Sequence, residues 1–168
     1  MTRPDNDDDH ITINKLKANL AMSMGGRAAE EIVIQDISAG AVGDIKQATG
    51  IARKMVMEWG MSEELGPVYY GSNQEVFLGR DYQSTHSYSE EVAGRIDKEV
   101  AKLVEGAHQE ALNCLKENRS QMDVMVRVLL ECETIYTEEV DMIMAGASAE
   151  EVKAELKERL GAKYADKK

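Results

Sequence analysis

The 168-residue chain is 43% apolar and 30% charged, with two prolines, ten methionines and a formal net charge of −11. Its length suits one hydrophobic core with a loosely attached tail, and its composition leans towards helix. The acidic balance leaves no basic stripe for phosphates or anionic lipid, which argues against nucleic acid and against direct membrane contact. No apolar run approaches the roughly 18 residues that a membrane span requires.

Residues 1–10 are polar and acidic and are expected to be flexible. Thr12 suits the N-cap of a first helix over about 13–33, with Leu16, Leu20, Met24, Ala28 and Ile32 recurring every four residues. Gly25-Gly26 interrupts good helix formers, at about 1 kcal/mol per glycine relative to alanine. Close approach of another element would explain the pair, and so would a kink. Glu30 and Glu31 follow as candidate metal-site carboxylates, or equally as a solvated face, with Arg27 one turn before Glu31.

The stretch Ser38-Ala-Gly-Ala-Val-Gly-Asp44 then places one acid at the start of a second helix, over about 41–58. Ile45, Ala48, Ala52, Met55, Val56 and Trp59 mark its apolar face. The positive end of the helix dipole keeps a carboxylate there ionised, as a hard anionic metal ligand must be. Dipole complementarity alone would also place an Asp in that turn, and the spacing does not choose between the two. Trp59 reads as a core anchor and Gly60 as the helix terminator.

Residues 60–88 form a long aromatic-rich loop, with a short strand expected at 68–70 and His86 exposed. Ser89 caps a long helix to about 117, whose seam of Val92, Ile96, Val100, Leu103, Ala107, Ala111 and Cys114 approximates a heptad. Cys114 reads as a small core residue and His108 as a surface residue beside the seam. Cys114 and Cys132 form no metal or redox motif, and a reducing compartment is the simpler reading. Arg119-Ser120 breaks the pattern before a further helix to about 132, making a long helical hairpin. Thr137 is expected to cap a short helix to about Met144. Ser148-Ala-Glu-Glu151 is a capping box opening a last helix with Val152, Leu156 and Leu160 on one face and a frayed end.

The expectation is thus a mainly α, multi-helix domain with at most a short β element. Its parts are a flexible acidic N-terminus at 1–10, a helical domain at 11–145, and a C-terminal helix and tail at 146–168.

Several motifs in order resemble the peptidase domain of FtsH-type proteases, which are membrane-anchored, ATP-dependent zinc metalloproteases. They are Gly25-Gly-Arg-Ala-Ala-Glu-Glu31, Ser38 to Thr49, Trp59-Gly-Met-Ser-Glu-Glu-Leu-Gly-Pro67 and Phe77-Leu-Gly-Arg80. Tyr88-Ser-Glu-Glu91, Ile96-Asp-Lys-Glu-Val100, Leu115-Lys-Glu-Asn118 and Glu133-Thr134 continue the likeness over roughly 8–145. The resemblance implies that two histidines of an H-E-x-x-H helix bind zinc, that its Glu activates water, and that Asp44 is the third ligand. Glu30 and Glu31 would then be candidates for carboxylates that support the ligands from behind without touching the metal. Gly43 stands where the family usually has Asn.

The sequence contains no H-E-x-x-H, and His10, His86 and His108 lack the i, i+4 partner that pairs two imidazoles on one helical face. The zinc helix is expected upstream of the region matching residues 1–9, packed near Gly25-Gly26. The resemblance therefore implies an incomplete zinc site, no catalytic residue and no activity in this chain alone. ATP would act only through an ATPase domain outside it. Polypeptide substrates, a homo-oligomeric ring, and a membrane-anchored parent with this domain on the cytoplasmic side are implied too. The alternative is a stand-alone, non-catalytic binding or assembly module on the same scaffold.

Overall fold

The computed structural model describes residues 11–36, 38–71 and 88–165. His10, His86, the Phe77-Leu-Gly-Arg80 motif and the acidic stretch 1–10 lie outside the described residues, as does the end of the tail at 166–168. The described residues form α-helices and one short 3-10 turn, without strands. The chain divides into two compact units, the first through Asn113 and the second from Cys114.

The first unit opens with α1, Ile13–Val33, whose start is capped where Thr12 Oγ1 accepts the Lys15 N–H at 3.3 Å. The four-residue recurrence buries Leu16, Leu20, Met24 and Ala28 as one stripe. A 3-10 turn at Ala39–Ala41 leads into α2, Val42–Met57, which buries Ala48, Ala52, Met55 and Val56. These small and flexible side chains let α1 and α2 pack closely against each other. The Gly25-Gly26 pair does not break α1, which runs unbroken through it.

Beyond α2 the chain turns at Gly60, whose φ is +59°. A Cβ there would lie 2.8 Å from Pro67 Cα, so both the backbone conformation and the space demand glycine. Trp59 is not the expected core anchor. It is 43% exposed, because Met55, Val56 and Met57 already fill the buried end of α2. Residues 68–70 make no strand; the Tyr70 N–H instead bonds the Met57 carbonyl at 2.8 Å.

Helix α3, Glu90–Glu117, begins where Ser89 Oγ accepts the Val92 N–H at 3.3 Å. It buries Ile96, Val100, Ala107 and Ala111. Glu99 is buried with them and accepts the Ser62 hydroxyl at 2.7 Å, tying the loop to α3. Arg53 of α2 pairs with Asp97 at 3.4 Å. Cys114, expected in the core, is exposed. At 3.6 residues per turn the buried stripe passes from Ala111 to Leu112 and half-buried Leu115, and Cys114 falls off that face.

Helix α3 continues into the second unit, where Asn118 alone separates it from α4, Arg119–Cys132. Arg119-Ser120 is therefore not the break but the first turn of α4, and Arg119 pairs with Asp123 at 3.0 Å. Helix α5, Thr137–Met144, is not capped by Thr137. Glu139 reaches back to accept the Tyr136 N–H at 2.9 Å, and Thr137 is the first helical residue.

Helix α6, Ala149–Ala165, starts with the expected capping box. Ser148 N–H donates to Glu151 Oε2 at 2.8 Å, and Glu151 N–H donates to Ser148 Oγ at 3.4 Å. Val128, Ile143, Ala149 and Val152 form this unit's core, and Leu156 is buried as well. Arg159 Nη2 donates to the fully buried Glu139 at 2.8 Å, while Nη1 lies 2.7 Å from Glu138. The guanidinium also sits 4.8 Å over the Tyr136 ring. Among the described residues, no helix is long and apolar enough to cross a membrane.

Candidate metal-ligand face of the first two helices

Asp44 is the one acid in the first turn of α2, and Ala41 at the N-cap supplies no side-chain cap. The carboxylate is exposed at the N-terminal, positive end of the helix dipole. Its neighbour across the helix pair is Gly26 of α1. A Cβ at Gly26 would stand 3.6 Å from Asp44 Oδ2, whereas one at Gly25 would meet nothing within 4 Å among the described residues. Of the glycine pair, Gly26 thus has a neighbour within this chain: the candidate ligand itself.

Glu30 and Glu31 are engaged differently. Glu30 accepts the Ser38 hydroxyl at 3.0 Å on each carboxylate oxygen and the Ser38 N–H at 3.3 Å. Ser38 Oγ in turn accepts the Gly40 N–H at 3.0 Å. Glu31 Oε2 lies 3.2 Å from His108 Nε2, on the part-buried inner side of α3, outside hydrogen-bonding geometry but within ion-pair distance. The side chain at ion-pair distance from Glu31 is therefore His108 of another helix rather than Arg27, which stands one turn earlier on α1. Spacing on α1 alone could not show that contact. The Glu30–Ser38 link had a legible signal in the polar turn residue just before a helix start, but its partner was not legible.

Among the described residues, no group of three or more His, Cys, Asp and Glu side chains is placed to hold a metal ion. A catalytic zinc takes three protein ligands. The exposed Asp44 carboxylate beside Gly26 offers the donor chemistry of one such ligand, and the described residues do not furnish two more.

Fold and site together define a class: a mainly α domain presenting one candidate metal carboxylate at a helix start. The sequence profile of peptidase family M41 matches residues 1–143, and the chain belongs to that family. It is 42% identical over 153 residues to the "ATP-dependent zinc metalloprotease FtsH 1" of Thermoanaerobacter sp. (strain X514), covering 90% of this chain and 25% of the relative. An "ATP-dependent zinc metalloprotease FtsH" of Slackia heliotrinireducens is 48% identical over 145 residues, 86% of this chain and 18% of the relative. The Thermotoga maritima protein of the same name is 46% identical over 143 residues, 84% and 23% respectively. The chain therefore spans a quarter or less of the length of these relatives.

Proposed function

We propose that this chain is the C-terminal part of an ATP-dependent zinc metalloendopeptidase and that Asp44 is the metal ligand it contributes. The observation carrying this reading is the pairing of Asp44 with Gly26 across α1 and α2, within the region matched to peptidase family M41. The other two ligands and the general base belong to a segment outside this sequence, and so does the ATPase. Zinc, when bound, supplies a Lewis acid and an activated water for hydrolysis of the peptide bond. The part played by this chain is to hold one anionic ligand at a fixed place and to keep the adjacent helix surface free of side chains.

The substrates on this reading are polypeptides delivered by the ATPase of a homo-oligomeric ring. The parent is anchored in the membrane through segments elsewhere, with this domain on the cytoplasmic side. The isolated chain is expected to bind zinc no better than its Asp44→Ala variant and to cleave no peptide. Tight stoichiometric zinc binding that Asp44→Ala abolishes would show that the site is complete here. In the full-length protein, Asp44→Ala is expected to remove zinc and peptide hydrolysis while ATP hydrolysis continues. Unchanged zinc content and proteolysis in that variant would overturn the ligand assignment.

A further inference from the structure

Gly26 and Glu30 are four residues apart on α1 and so lie on the same face, one turn apart. Gly26 stands beside the Asp44 carboxylate, and Glu30 holds the start of the turn that delivers Asp44. We propose that Glu30 is a positioning residue: through Ser38 it sets the 3-10 turn Ala39–Ala41 and thereby the place of Asp44 against Gly26.

The argument is one of geometry. Glu30 takes both donors of Ser38, its N–H and its hydroxyl, so that one carboxylate anchors backbone and side chain together. The same hydroxyl oxygen accepts the Gly40 N–H at 3.0 Å, which converts the anchor into the first bond of the turn. Gly40 sits tightly against this anchor. A Cβ there would lie 3.0 Å from Ser38 Oγ and 3.5 Å from Glu30 Oε1. Three residues later Asp44 emerges in the first turn of α2, where no N-cap side chain fixes the helix start. With Ala41 at the cap, the bonds upstream at Ser38 are what define where α2 begins. Glu31, the adjacent carboxylate, points to His108 instead and has no part in this chain of contacts.

The positioning role concerns this chain's own geometry. Its consequence for metal affinity rests on the reading of Asp44 as a ligand, and the two are tested separately. In the 168-residue chain labelled with 13C and 15N, Glu30→Ala and Ser38→Ala are expected to move the Asp44 carboxyl carbon resonance. They should also remove the hydrogen-exchange protection of the first amides of α2, while the amides of α1 keep theirs. Glu30→Gln keeps a side-chain carbonyl that can accept from Ser38 and is expected to restore the wild-type positions. Glu31→Ala is expected to leave them in place.

Asp44 resonances unmoved by Glu30→Ala, moved equally by Glu31→Ala, or not restored by Glu30→Gln would each overturn the proposal. If Glu30→Ala does not fold, Ser38→Ala carries the same test. The metal arm is a zinc titration of the full-length protein. Glu30→Ala is expected to weaken zinc binding by about 10–100-fold, as loss of a ligand's supporting partner typically does, with Glu30→Gln near wild type. Loss of zinc in Asp44→Ala together with no change in Glu30→Ala would overturn positioning and leave the ligand reading standing. No loss in Asp44→Ala would sink the ligand reading, with the resonance data still deciding the positioning role.

Discussion

Glu30 and Glu31 are neighbours in sequence yet face different partners, because successive helical residues point about 100° apart. That divergence sends Glu30 to Ser38 at the loop and Glu31 to His108 on α3. Two carboxylates that look interchangeable in the sequence therefore serve different neighbours. Gly60 shows a different single-residue constraint, since its positive φ and the 2.8 Å approach of Pro67 Cα exclude any Cβ without backbone movement. Forcing alanine into that conformation costs about 1–3 kcal/mol before the clash is counted. Gly60→Ala is expected to lower the midpoint of urea unfolding accordingly, and an unchanged midpoint would show that the turn relaxes freely.

At the scale of the element, helix starts carry most of the polar logic of the second unit. The Ser148–Glu151 box satisfies donors at the start of α6, and Ser148→Ala is expected to cost about 1 kcal/mol, read as a lower thermal midpoint. The same contacts make the box sensitive to acid. The Ser148 N–H, and after it the Ser148 hydroxyl, hold the Glu151 carboxyl below its ordinary value of 4.5. A depressed carboxyl contributes stability that is fully present above its unfolded value and is lost as pH falls through the folded one. Melts recorded from neutral pH into the range below 4.5 are expected to fall less steeply for Glu151→Gln than for wild type. Parallel curves would show that this carboxylate contributes nothing to the acid response. Glu138 acts in the same sense, its carboxyl lowered chiefly by the hydrogen bond from Arg159.

Across the whole molecule, stability rests on two sets of apolar side chains. Leu16, Leu20, Met24 and Ala28 of α1 pack with the buried face of α2 in the first unit. Val128, Ile143, Val152 and Leu156 join α4, α5 and α6 in the second. Leu20 and Leu156 are 0% and 1% exposed, so truncation to alanine leaves a cavity at each. Leu20→Ala and Leu156→Ala are each expected to lose about 2–5 kcal/mol by chemical denaturation. Losses near zero would mean that the core collapses around the missing atoms.

The helices themselves were legible from sequence, since apolar recurrence and cap chemistry are local signals. Thr12, Ser89 and the Ser148–Glu151 box mark helix starts that the structure bears out, and α1 keeps the expected bounds Ile13–Val33. Local signals failed where burial depends on what else is present. Trp59 and Cys114 look like core residues by type and spacing but stand outside it, because neighbours fill the space or the helical turn carries them past the face. Tyr136 lies at the start of α5 where Thr137 was expected, because the reach of Glu139 decides that position.

For the candidate site, the residues that could serve were readable in the chain: an acid in the first turn of a helix after a small-residue loop, and two glutamates on the helix before it. Tertiary structure alone decided that Gly26 lies beside Asp44, that Glu30 takes Ser38, and that Glu31 faces His108. The difference is one of range. Capping and periodicity act within a turn or two of helix, whereas these contacts join different helices or a helix and a loop, and their distances follow from how the helices pack.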